Sequence, residues 1–238
     1  MDSTLRLACF VLVTLTFCQG SITPCREDDE YCLISTAQDL YSQIMPGIPS
    51  IGTENFDPVW IEEVDGSLTI LKYKIENATV TGYAYCEIKH LSIDTSRSNF
   101  KLNLFCPEIG MYGDYEMNGR LIVLPVEGNG NFTLSIYSYD INFDVDYKVV
   151  KTYDGKEYMS IKDYNFEATT ERGGVFYFDN LFNGRKDLAD TVLKFANENS
   201  IEVLHEFQRP ILAVTYKKFM KNLNKFLKSM PMEHLFAQ

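Results

Sequence analysis

Basic charge is scarce in this chain: 22 lysines and arginines stand against 33 aspartates and glutamates over 238 residues, a net charge of −11. Nucleic acid and anionic membrane would both repel such a surface, so neither is expected as the main partner. Histidine is scarcer still, with three residues, at 90, 205 and 234, too scattered for an evident metal cluster. Six cysteines are too few for a disulfide-dense mini-domain. After the amino-terminal segment no run is apolar enough to span a bilayer, which needs about 20 residues. Gly-x-Ser-x-Gly is absent, which removes the nucleophile elbow. His205-Glu206 opens a zinc-protease motif, but Arg209 stands where the second histidine belongs. Gly128 and Gly130 imitate the start of a dinucleotide loop. Thr133 takes the third glycine's place, and a strand pattern follows where a helix is needed. Asp140, Asp144 and Asp146 recur with period 2 but lack the loop glycine and distal glutamate of an EF-hand; they read as an outward acidic strand face. A catalytic triad is defined in space, so no fixed spacing speaks for or against one.

What is present is ordinary globular material, 45% hydrophobic and 13% aromatic. Arg6 precedes an apolar run from Leu7 to Phe17, and Cys18 and Gly20 place small residues before a cut after Gly20. Residues 1–20 therefore read as a secretory signal peptide, and 21–238 as one secreted, extracellular domain. Cleavage leaves Cys25, Cys32, Cys86 and Cys106. An even number in an oxidising compartment suggests two disulfides, with three connectivities open.

Leu33, Ala37, Leu40 and Ile44 give residues 28–45 a helical pattern, with Asp28 or Asp29 as cap and Pro46-Gly47 as stop. Gly47 to Pro58 reads as an irregular loop. From Gly66 to about Leu181 the period changes to 2. Phe100, Leu102, Leu104 and Cys106 share one parity, as do Val80, Ala84, Cys86 and Ile88, and Phe132, Leu134 and Ile136. Turns are predicted at Thr95–Ser98, Met117–Gly119, Glu127–Gly130, Tyr153–Gly155 and Glu171–Gly174, making about seven antiparallel strands. From Asp187, a plausible N-cap, to about Lys228 runs one helical pattern with a kink at Pro210. The fold class is α+β. The sheet's apolar face needs a large partner, and the economical solution is a strongly curved antiparallel sheet wrapped around the long C-terminal helix, with a short N-terminal helix beside it.

Two local features follow from the strand pattern. Cys86 and Cys106 are equidistant from residue 96 and both point inward, so a hairpin turning there stands them opposite each other for a disulfide. Leu91 and Ile93 switch parity, which marks a bulge after Ile88. Asn77-Ala78-Thr79 and Asn131-Phe132-Thr133 are glycosylation sequons, and both asparagines fall on the polar parity of their strands.

The chain resembles the insect juvenile-hormone-binding and takeout-like secreted carriers. The likeness runs through Pro24-Cys25, Cys32-Leu33, Gly47-Ile48-Pro49, Gly52, Asp57-Pro58 and Gly113-Asp114-Tyr115. It continues over Leu124 to Phe132, Asn180 to Gly184, Phe195, Asn197-Glu198-Asn199, Val203-Leu204, Pro210 and Pro231 to Phe236. The resemblance implies a tubular lipid-binding architecture and an apolar tunnel beside the helix. It also implies an amino-terminal disulfide between Cys25 and Cys32. Some hormone carriers of this kind have a second bridge to the long helix; here no cysteine follows Cys106, which favours the takeout-like branch. The expected function is that of a monomeric carrier of a hydrophobic small molecule, such as a terpenoid hormone, fatty acid or semiochemical, without cofactor or chemistry. Leu188, Val192, Phe195 and Val203 on one helical face, and Phe100, Leu102, Leu104 and Ile136 on the strands, are the tunnel candidates. A secreted lipid esterase and a signalling protein acting by surface contact are the competing readings.

Overall fold

The computed structural model describes residues 22–153 and 155–237. The expected signal peptide, 1–20, lies outside the described residues. The first helix, α1 (Glu30–Ile44), begins where Asp29 accepts the backbone N–H of Cys32 at 3.0 Å, satisfying one of the free donors of the first turn. The irregular segment after it contains a short 3-10 turn, Pro49–Ile51, which ends at Gly52 in left-handed conformation.

Seven strands make one antiparallel sheet: β1 (Val59–Asp65), β2 (Leu71–Thr81), β3 (Glu87–Asp94), β4 (Asn99–Leu121), β5 (Leu124–Lys151), β6 (Glu157–Thr170) and β7 (Gly174–Phe178). The spine is the β4–β5 hairpin, of 23 and 28 residues. The flanking strands share it out. The first half of β4 pairs with β3 and its second half with β2. The first half of β5 pairs with β7 and its second half with β6. Strand pairing thus divides the sheet into two halves along one continuous hairpin.

Four sequence expectations need correction. The sheet starts before Gly66, because β1 carries an inward set of Val59, Ile61 and Val64. The glycines at 119, 128 and 130 lie inside strands; the turn is at Ile122-Val123, which joins β4 to β5. Those glycines answer a different need, close approach. A Cβ on Gly128 would lie 2.8 Å from the Tyr115 hydroxyl and 3.0 Å from Leu181 Cα, where the chain crosses the strand, and one on Gly119 would lie 2.4 Å from the Ile70 carbonyl. Ala84 is exposed, because a 3-10 turn at Tyr83–Tyr85 interrupts the strand pattern and buries Tyr83 instead. Asp57 holds that turn by accepting the N–H groups of Gly82 and Ala84.

The fourth correction concerns the long helix. It is three segments: α2 (Lys186–Glu198), α3 (Ser200–Phe207) and α4 (Arg209–Ser229). The N-cap is Arg185, and Asp187 sits in the first turn. Asn199 breaks α2 from α3, with ψ at 32°. Pro210 lies in the first turn of α4, where its missing N–H costs least. A short α5 (Met232–Leu235) follows. The arm lies against the inward face of the sheet, and asparagines fasten it. Asn197 bonds both the N–H and the C=O of Phe176 on β7, at 2.6 and 3.1 Å. Asn222 does the same for Glu54, at 3.1 and 2.7 Å. Asn224 accepts the Ile161 N–H of β6 at 2.9 Å.

Candidate functional site

Among the described residues, two apolar chambers stand out between arm and sheet. The first holds about 1130 Å³ of unfilled space, counting its open mouth. It stands under the half of the sheet built from β2, the second half of β4, the first half of β5 and β7. Its wall includes Tyr73, Met111, Met117, Phe132, Ile136 and Phe176, and α2, α3 and α4 close it with Val192, Leu193, Ala196, Val203, Phe207 and Ile211. The second holds about 890 Å³ on the same measure. It is lined by Leu33, Ala37, Leu40 and Ile44 of α1, by Ile88, Phe100, Leu102 and Met159 of the strands, and by Phe219, Leu223 and Phe226 of α4.

An aromatic partition separates them. Tyr83 and Thr215 face the first chamber; Tyr41 and Phe219 face the second. Phe56 packs on both Tyr83 and Phe219, with ring centroids at 5.1 and 5.3 Å, and Phe143 packs on Tyr216 and Phe219 at 5.0 and 5.6 Å. The Tyr41 hydroxyl donates to the Tyr83 carbonyl at 2.6 Å.

Several polar atoms at the walls are already partnered, while the buried Tyr216 hydroxyl in the partition has no hydrogen-bond partner among the described residues. In the first chamber the Tyr139 hydroxyl bonds to Gln208 Oε1 at 2.5 Å, and the Gln208 amide donates to the Ala168 carbonyl at 2.8 Å. The Tyr73 hydroxyl donates to the Phe207 carbonyl, and that of Tyr115 to the Asp179 carbonyl. Burial pushes the phenols of Tyr41, Tyr73, Tyr83, Tyr139 and Tyr216 well above the ordinary tyrosine range, and that of Tyr115 up to about 12. They stay neutral, and the lumen is left to carbon. Neither wall carries a histidine or a carboxylate. Among the described residues no group of three His, Cys, Asp or Glu is placed to hold a metal ion.

The tunnel candidates divide. Ile136, Val192 and Val203 line the first chamber; Phe100 and Leu102 line the second. Leu104, Leu188 and Phe195 line neither. Leu104 lies between the chambers along β4 and is packed into the core, while Leu188 and Phe195 are only half-buried, off the face of α2 that meets the lumen. Sequence reading missed Met111, Met117, Leu193, Ala196 and all the α1 residues of the second chamber. Strand parity marks the inward face for Met111 and Met117, and helical spacing does so for Leu193, Ala196 and the α1 residues, but only the position along a 23-residue strand or along the arm decides which chamber a residue meets.

Among the described residues two disulfides brace the structure. Cys25–Cys32 has S–S 2.00 Å, and Cys86–Cys106 has S–S 1.92 Å with Cα atoms 4.1 Å apart. Glu87 pairs with Phe105 and Ile88 with Leu104, and the register shifts between Ile88 and His90. Cys25 also takes part in closing the second chamber: its N–H donates to the Leu235 carbonyl, its carbonyl accepts from Ala237, and Phe236 joins the wall. Asn77 and Asn131 are both exposed, and both side-chain amides donate to one carboxylate, Asp114, at 2.9 and 2.8 Å.

The sequence profile described as haemolymph juvenile hormone binding protein matches residues 6–237. The chain is 27% identical over 226 residues to the circadian clock-controlled protein daywake of Drosophila melanogaster, covering 90% of this chain and 86% of that one. It is 26% identical over 233 residues to the protein of the same name from Drosophila yakuba, covering 92% and 89%. The crystal structure of Takeout 1 from Epiphyas postvittana superposes with a TM-score of 0.86 at 26% identity, covering 90% of this chain and 99% of that one. A profile spanning nearly the whole chain, on a fold that superposes throughout, places the sequence: it belongs to the haemolymph juvenile hormone binding protein family.

Proposed function

We infer that the protein is a secreted carrier that holds a hydrophobic small molecule in the first chamber, with no chemistry performed on it. The observation that carries this reading is an unfilled, carbon-lined space in which Tyr73, Tyr115, Tyr139, Gln208 and Thr215 turn their polar groups to the protein itself. Pockets for small ligands are mostly apolar with few polar groups, and the lining of this one suits a terpenoid or fatty-acyl chain. The family is itself named for hormone binding, and two disulfides suit an oxidising, extracellular setting. The absence of histidine and carboxylate from both walls speaks for binding over ester hydrolysis, since nucleophilic catalysis needs a base within hydrogen-bond reach. Native mass spectrometry of protein secreted from insect cells, followed by organic extraction, tests it. A bound apolar molecule is expected. Protein that arrives empty and takes up no apolar fluorescent probe would refute the carrier.

A further inference from the structure

The outer face of the sheet, over the first chamber, carries a regular feature unrelated to the lumen. Reading straight across the strands, Trp60 pairs with Thr79, Thr79 with Tyr112, Tyr112 with Thr133 and Thr133 with Tyr177. The row alternates aromatic and threonine, and its three rings are 51%, 52% and 53% exposed. Alternate strands put the rings roughly 10 Å apart. Among the described residues none of the three rings stacks on another ring, the Tyr177 hydroxyl bonds to Asp179, and about half of each side chain is left open to a partner.

The next row along the same face says what that partner is. The two threonines are those of the sequons, and the sequon asparagines stand beside them. Asn131 pairs directly with Asp114, two residues beyond Tyr112. Asn77 reaches the outer face through a bulge: residues 77 and 78 oppose Gly113 alone, and Asn77 takes a left-handed φ of 49°. Both amides then converge on Asp114 from either side. Tyr112 sits diagonally from Asn131, a relation that places side chains about 7–8 Å apart.

We propose that Asn77 and Asn131 both carry N-linked glycans and that the aromatic row is the bed for their first sugars. The apolar C–H face and acetyl methyl of N-acetylglucosamine lie flat on Tyr112, between the two attachment points, with Trp60 and Tyr177 receiving the outer sugars. Each glycosylated amide keeps one N–H to donate to Asp114, which aims both sugars inward along the face. A tethered sugar outcompetes a free one, because its effective concentration at the ring is of millimolar order or more. The inner side of the same strands is chamber wall, through Val80, Met111, Leu134 and Phe176. The glycan bed therefore stiffens the outside of the ligand site and hides this aromatic row from other molecules.

The test uses full-length protein secreted from insect cells and trimmed enzymatically to one N-acetylglucosamine per site. Intact mass should show two sugars, at Asn77 and Asn131. In NMR spectra their acetyl methyls should be moved upfield by ring currents, and in Tyr112→Ser they should return to the free-sugar position with occupancy unchanged. Asn131→Gln should lower Tm by roughly 2–4 °C in the parent and by nothing further in Tyr112→Ser, the coupling expected of two groups in contact. Unoccupied sequons, or acetyl methyls indifferent to Tyr112→Ser, would overturn the proposal. So would binding of free chitin oligosaccharides by the Asn77→Gln, Asn131→Gln protein at the same rings as tightly as the tethered sugars.

Discussion

Val203→Phe separates an empty chamber from a packed core by the sign of one number. Val203 is on α3, 3% exposed, and faces the first chamber with Ala196 and Phe207. If the space is unfilled, the added ring buries carbon that was absent before. At about 0.8 kcal/mol per buried CH₂, less some lost rotamer freedom, that contributes on the order of 1–2 kcal/mol. In a filled core the same ring forces its neighbours off their rotamers, and overpacking costs about 1–3 kcal/mol. For a chain of this size one kcal/mol moves Tm by about 2–4 °C, so the two cases predict a rise of roughly 2–8 °C or a fall of roughly 2–12 °C. The ring also occupies space a ligand needs. Differential scanning fluorimetry and titration with a fluorescent apolar probe should therefore move in opposite directions: Tm up, probe affinity down by tenfold or more. A lower Tm with unchanged probe affinity would refute both the emptiness of the chamber and its role.

Replacing Cys86 and Cys106 together by serine opens a loop whose ends are 20 positions apart, which the chain-entropy relation values at about 3 kcal/mol. Thermal melts should drop by roughly 6–12 °C, with probe uptake retained well below the new Tm; an unchanged melt would show that the bond adds nothing to this hairpin. The buried tyrosines set an alkaline limit. Their folded pKa values are raised above the unfolded value of 10.0, so the folded state holds protons that the unfolded chain releases. Stability is full below pH 10 and is lost as pH climbs past it. Phenolate absorbance and circular dichroism followed together should show Tyr41, Tyr73, Tyr83, Tyr139 and Tyr216 ionising in one step with unfolding. Reversible titration of all 15 tyrosines near pH 10 in folded protein would contradict that placement.

Legibility in the sequence followed the range of the physics. The Cys86–Cys106 hairpin is short, and antiparallel register is index arithmetic; even the bulge after Ile88 shows as a switch of parity at Leu91 and Ile93. The cap at Asp29 is equally local. Turn placement failed where glycine serves a distant contact. Gly128 makes room for Leu181, more than fifty positions away, while the true turn uses Ile122, a β-branched residue at φ 56° that turn chemistry would never nominate. The helical arm read as continuous because its apolar spacing is continuous; the break at Asn199 follows from Asn197 and Ser200 bonding sideways to β7.

The division of labour inside the family resemblance follows from the same geometry. Many of the polar and glycine residues that carry it hold the frame: Asp57 fixes a turn, Gly128 admits a crossing chain, Asn180 bonds the Asn129 carbonyl, and Asn197 ties α2 to β7. None of these four residues lines the first chamber, so they hold the frame without filling the space inside it. Much of the lumen of the first chamber comes from other positions, among them Met111, Met117, Phe176, Val192, Leu193 and Ala196. Methionine there is unbranched and polarisable, and it adapts its shape to what it meets. A frame held at its edges by backbone hydrogen bonds can therefore keep its chamber while side chains inside it change. Membership of the family accounts for the architecture, while the lining of the chamber is free to differ from member to member.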